Sequence, residues 1–139
     1  MGQRGLQGHQ RRDFLELANS YPELSPWAMR WVDAIAELYR LNGLRLGCDD
    51  ASAERAVHHA ALQQAVQRMA DERDRALAEL NVANPLAEPA AKVLRSMAVH
   101  WAGLTVFVEH PAVPMDNNVA ERAARLAVVD CQEFLRLRL

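Results

Sequence analysis

At 139 residues, 50% of them hydrophobic and 24% charged, the chain has the composition of one water-soluble globular domain with a moderate core and no length for a second. A formal charge of −2 lacks the basic excess of a free-standing nucleic-acid binder, so any phosphate contact has to come from local patches. No apolar run approaches a membrane span, the first residues are not signal-like, and Cys48 and Cys131 suit neither a zinc site nor a disulfide framework, so a cytoplasmic protein with two ordinary thiols is expected.

Residues 1–8 hold three of the six glycines and show no apolar periodicity, which predicts an irregular lead-in. Over residues 9–19, Phe14, Leu15, Leu17 and Ala18 fit one face of a short helix that Pro22 stops. Ser25-Pro26 reads as an N-cap followed by proline at the first helical position. Ala28, Trp31, Val32, Ile35, Leu38, Tyr39 and Asn42 then recur at helical spacing, and Asn42-Gly43 is expected to close that helix. Trp27 and Trp31 suit either a base-stacking platform or the core; a spacing of four on an amphipathic helix favours the core.

Residues 44–50 form a connector, and Asp49-Asp50 reads as acidic charge ahead of a helix more naturally than as a pair of metal ligands. The adjacent His58 and His59 have no metal-ligand spacing and read as surface or half-buried residues. The longest helix is predicted over residues 51–82, where Leu62, Val66, Met69, Arg73, Ala76 and Leu80 alternate four and three apart. Arg73 interrupts that stripe, and its stem is expected to cover apolar surface while its head reaches water. After a turn containing Pro85 and Pro89, the same spacing continues through Leu94, Met97, Trp101, Leu104 and Val108, which predicts a helical hairpin over residues 51–108.

His110-Pro111-Ala112-Val113-Pro114 breaks the helix and leads into Met115-Asp116-Asn117-Asn118-Val119-Ala120-Glu121-Arg122-Ala123-Ala124-Arg125. Asn118 is a good N-cap and Glu121 follows it by three residues, the capping-box spacing, so one reading is a loop delivering a capped helix. The other reading is that Glu121 helps to hold a divalent cation, since hard cations take oxygen ligands. Basic pairs at Arg11-Arg12 and at Arg122 and Arg125 suit phosphate contacts, but solvated helix faces explain them as readily. All but one of the sixteen basic residues are arginine, a usage that a GC-rich gene would also produce.

The run Asp116-Asn117-Asn118-Val119-Ala120-Glu121-Arg122-Ala123, preceded by Val113-Pro114-Met115, resembles the closing motif of the insertion-sequence-66 family of DDE transposases. His9-Gln10-Arg11-Arg12-Asp13-Phe14 is similar to the family's His-x-Arg-Arg-x-Phe segment. Val99-His100-Trp101-Ala102-Gly103-Leu104-Thr105-Val106-Phe107 is similar to the helix ahead of its Asp-Asn-Asn turn. Three matches in the right order are more specific than any one of them.

The resemblance implies a ribonuclease-H-like ancestry, in which three carboxylates bind two divalent metals, Mg²⁺ in the intact family, and cut and transfer transposon-end DNA. It makes Glu121 the last catalytic acid and a metal ligand, has Asn117 and Asn118 shape the turn and touch DNA or a metal-bound water, and turns Arg122 toward phosphate; with Arg11, Arg12 and Arg125 from the basic pairs, these are the expected DNA-contacting residues. Residues 51–108 correspond to an insertion between the second and third acids, and residues 114–129 to the turn and the Glu-bearing helix.

Both family aspartates precede the His-x-Arg-Arg-x-Phe segment, and none of the eight residues before His9 is acidic. The expectation is therefore a mainly α-helical, single-domain fragment of the catalytic domain over residues 1–139: a truncated transposase inactive by itself, with the sheet largely lost. After Val129 the chain departs from the family's basic, aromatic tail, as a one-nucleotide frameshift would produce. The alternative is a small helical interaction or regulatory module, a homo-oligomer or a mixed oligomer with an intact transposase, whose partner meets the seam along residues 62–80. Neither reading calls for a small-molecule substrate or a membrane.

Overall fold

The computed structural model describes residues 5–115; residues 1–4 and 116–139, together with the side chain of Gln7, lie outside the described residues. Within 5–115 every regular element is helical and none is a strand, in line with the mainly α expectation. No helix among the described residues is long and apolar enough to cross a membrane.

Helical structure begins at Leu6, inside the segment expected to be irregular. A π-helical turn, Leu6–Gln10, forms with the amides of His9 and Gln10 both donating to the Gly5 carbonyl at 3.0 Å. Burial of Leu6 gives the turn an apolar anchor that composition alone did not reveal. It runs into α1 (Arg11–Ser20), which stops at Tyr21 and Pro22, as the proline predicts. A 3₁₀ turn, Pro22–Leu24, then leads into α2 (Ser25–Leu46), with Pro26 in its first turn.

α2 continues past Asn42-Gly43, where the sequence predicts its end. No described residue has a positive φ, so Gly43 is not used as a left-handed cap. Leu41, Leu44 and Arg45 are buried, and the core contact they gain outweighs the modest helix penalty of Asn42 and Gly43.

α3 (Ala53–Glu79) starts at Ser52, whose Oγ accepts a hydrogen bond from the Arg55 amide at 3.0 Å, satisfying one of the helix's first unpaired donors. Two asparagines build the next turn: Asn81 Oδ1 accepts from the Ala83 amide at 3.0 Å, and Asn84 Oδ1 from the Leu86 amide at 2.9 Å. α4 (Ala87–Val99) follows, then two single turns, α5 (Trp101–Leu104) and α6 (Val106–Glu109). The breaks fall at His100 (φ −96°, ψ 7°) and Thr105 (φ −111°, ψ 8°), residues flattened out of helical geometry. The Thr105 hydroxyl donates to the Trp101 carbonyl at 2.8 Å and so competes for the helix's own acceptor.

α1 and α3 both pack chiefly on α2, with α4 closing against α1 and α3. The ring of Phe14 stacks on Trp31 at 5.5 Å and an interplanar angle of 3°, and Trp27 stands edge-on to both at 6.1 and 6.0 Å. With Trp31 buried and Trp27 packed on the core, both indoles are core residues rather than an open stacking platform.

Three expectations are corrected. Leu62 and Met69 are 0% and 4% exposed, so that part of the seam packs into this chain's own core and is not offered to a partner. The Arg73 side chain, 11% exposed, is largely covered and does not stand out into water. Its guanidinium lies 4.8 Å from the Trp101 ring centre and pairs with Asp74 at 2.9 Å, because the indole face and the carboxylate together compensate the cation where it is covered. Cys48 is disulfide-bonded rather than an ordinary thiol, and the chain's other cysteine, Cys131, lies outside the described residues.

Among the described residues the most heavily buried cation is Arg45, 1% exposed near the end of α2. Its Nη1 donates to the Val108 carbonyl at 2.6 Å, and its Nη2 to the Phe107 carbonyl at 2.9 Å and to Asn42 Oδ1 at 2.7 Å. A guanidinium thus caps α6 at its carbonyl end, where the helix dipole favours a cation. Burial, then the nearby Arg55 cation, pushes its pKa down to about 10 against an upward pull from Glu109; it remains charged at neutral pH. Replacing Arg45 by Met strands the Phe107 and Val108 carbonyls and the Asn42 amide. It is expected to lower the unfolding free energy by about 2–4 kcal/mol, read as a fall in urea midpoint at unchanged slope. Phe14→Ala, which empties the ring stack, is expected to cost about 3–5 kcal/mol in the same titration.

Candidate functional site

The fold brings two of the matched segments, and the approach to the third, to one core. Phe14 from the His-x-Arg-Arg-x-Phe segment, Leu104 and Phe107 from the helix ahead of the Asp-Asn-Asn turn, and Met115 from its threshold belong to a single buried cluster that also holds Leu6. The chain leaves α6 through a turn closed by the Val113 amide on the His110 carbonyl at 2.9 Å. Met115 then plugs into the core at 4% exposure. Arg45 fixes one end of this passage and Met115 the other. Asp116, Asn117, Asn118, Glu121, Arg122 and Arg125 themselves lie outside the described residues.

Within His9-Gln10-Arg11-Arg12-Asp13-Phe14, position dictates role. His9 Nδ1 accepts from the Gly5 amide at 3.3 Å and ties down the start of the π turn. Phe14 is the ring that α2 stacks on. Gln10 is turned fully inward, and neither of its amide atoms finds a partner among the described residues. Arg12 is exposed and Arg11 half-buried in the first turn of α1, and neither takes part in the ion pairs found among the described residues. Both heads are therefore placed where a phosphate could reach them.

The neighbouring surface narrows that possibility. A cleft of about 530 Å³ between α1 and α4 is lined by Asp13, Glu16 and Glu88 against a single basic residue, Lys92, so the same helix turns acidic one turn beyond Arg12. The cleft face of α1 is thus acidic, in contrast to its N-terminal end.

The described residues do not supply a metal centre. No group of three or more His, Cys, Asp or Glu side chains converges among them. Asp49 and Asp50 are exposed, and Asp50 is engaged with Arg55 at 3.0 Å, in keeping with their reading as charge at the start of α3. Glu109 accepts from Gln63 Nε2 at 3.1 Å. The described donors thus do not fit a pair of divalent cations, and Glu121, the ligand that the motif suggests, falls beyond them.

Arg45 is the residue that sequence reasoning passed over. A signal existed: Trp31, Ile35, Leu38, Asn42 and Arg45 share one face of α2, and a polar pair ending an apolar stripe points to a buried hydrogen-bonding role. What it holds, the carbonyls at 107 and 108, is 62 and 63 residues away in sequence and has no local signature.

Comparison with known proteins agrees with the motif order. The chain matches the family model described as Transposase IS66 family over residues 7–138, a span that takes in all three segments and also the residues after Val129, where a departure from the family pattern is expected. No curated protein and no solved structure matches it. With the first segment, the pre-turn helix and the Asp-Asn-Asn motif all inside one family match, the chain belongs to the IS66 family of transposases.

Proposed function

We propose that this chain is the third-acid portion of a DDE-type transposase catalytic domain of ribonuclease-H-like ancestry, and that these 139 residues do not cut DNA by themselves. The observation that carries the reading is the family match over residues 7–138, with Glu121 standing five residues after Asp116 in the Asp-Asn-Asn motif.

A two-cation phosphoryl-transfer centre activates the attacking oxygen with one metal and stabilises the leaving oxygen with the other, and its cations are shared among several carboxylates. Within this chain the motif contributes one such acid, Glu121, and the described acids are dispersed or engaged elsewhere. No catalytic step through Mg²⁺ is therefore assigned to the chain alone. Its own contribution is positional: the helices form a scaffold, Arg45 and Met115 fix the passage into the motif, and Arg11 and Arg12 are available to DNA phosphate at the start of α1. Asn117, Asn118, Arg122 and Arg125, the polar and basic residues of the motif, are the further candidates for contact with DNA.

Two measurements test this reading. Supercoiled plasmid incubated with the chain and Mg²⁺ or Mn²⁺ is expected to stay intact, and cleavage that disappears in Glu121→Gln would overturn the proposed inactivity. Joined to a family segment bearing the two upstream aspartates, the chain is expected to cut DNA in a Glu121-dependent manner; persistent inactivity of a folded fusion would count against the third-acid role. For DNA binding, the Arg11→Ala/Arg12→Ala double variant is expected to weaken association and to reduce the slope of log K against log salt by about 1.8, the value for two lost phosphate contacts. An unchanged slope would reassign these arginines to the solvated surface.

A further inference from the structure

We propose that His59 and Arg45 form a proton-sensitive latch on the exit of α6, closed while the imidazole is neutral and released when it is protonated. Arg45 Nη1 lies 3.0 Å from His59 Nδ1, and the same nitrogen holds the Val108 carbonyl at 2.6 Å. A guanidinium has donors only. His59 must therefore present a lone pair at Nδ1, which places the ring's proton on Nε2 and fixes a neutral tautomer. Adding a proton at Nδ1 removes that acceptor and sets a second cation against a guanidinium already closed off from water.

The surrounding charges do not offset this. On α3, Arg55 lies one helical turn before His59 on the same face and adds a like charge, although it pairs with Asp50 at 3.0 Å. His58, the preceding residue, is buried with contacts of its own. From α2 the facing charge is Arg45 itself. From α6 it is Glu109, whose carboxylate accepts from Gln63, one turn after His59. Asp50 and Glu109 are both exposed, so solvent screens them, whereas Arg45 is not. His59 is half-buried and can exchange its proton with water.

The response is focused because α6 is a single turn, Val106–Glu109, too short to hold its shape without outside support. Two of its carbonyls, at Phe107 and Val108, are held by Arg45. Losing the latch frees the amides of Val108, His110 and Val113, which close the successive turns on Thr105, Val106 and His110. The inference concerns this exit alone and stands whether or not Glu121 takes part in metal binding.

The test is amide hydrogen exchange of the full chain across residues 106–113, corrected for intrinsic rates, between about pH 7.5 and about pH 5. Protection of Val108, His110 and Val113 is expected to fall about tenfold or more on acidification, while the α2 and α3 amides keep theirs. His59→Gln retains a side-chain acceptor that does not titrate, and its protection is expected to be flat over this range. An equal pH-dependent loss in His59→Gln, or no loss in the unaltered chain, would overturn the latch. Should that variant fail to fold, the ring ¹⁵N shifts of His59 in the unaltered chain decide. An acceptor-type Nδ1 at neutral pH whose titration coincides with shifts of the Phe107 and Val108 amides supports it, and any other pattern refutes it.

Discussion

The C-terminal end of the described fold depends on one buried guanidinium. Arg45 leaves the end of α2, crosses the core and binds the last carbonyls of a single-turn helix that begins sixty-one residues later in the chain, with Asn42 and His59 completing its shell. Without a carboxylate in contact, the cation is compensated by carbonyl and amide dipoles, which are directional and so specify geometry as well as energy. One N–H, at Nε, finds no partner among the described residues, a residual cost that the other contacts outweigh. A lysine could supply the charge but not the fork that holds two successive carbonyls at once.

This clamp links scaffold to motif. The helices α1, α2 and α3 are held by the Phe14–Trp31 stack and by Ile35, Leu38, Leu62 and Met69, in the same cluster that Leu104, Phe107 and Met115 join from the far end of the described chain. The passage toward Asp116 has no long helix of its own: α5 and α6 are single turns separated by the flattened Thr105. Such a segment is stable only where tertiary contacts hold it, and Arg45, Leu104, Phe107 and Met115 are those contacts. Rigid scaffold and borrowed order at its edge are a common way to deliver a reactive residue.

Charge is distributed to match. Basic side chains that could meet DNA stand at the start of α1, whereas the α1–α4 cleft beside them is acidic. The near-neutral total thus conceals a polarity of charge along one helix. The mixed-oligomer alternative loses its proposed seam, since Leu62 and Met69 are consumed internally, and nothing else in the described surface singles out a partner.

Sequence by itself determined the helical class, the stops at Pro22 and in the turn around Pro85, the core placement of Trp31, Leu62, Met69, Leu94, Met97 and Leu104, and the family, because periodicity, breakers and ordered motifs are local properties of the chain. Tertiary structure alone decided that α2 runs through Asn42-Gly43, that Leu6 begins the fold, that Arg73 lies under Trp101, and that Arg45 seizes α6. Each of these turns on what a side chain meets across a long separation in sequence. A buried cation or a helix carried past glycine is stable only because of partners that no local window contains.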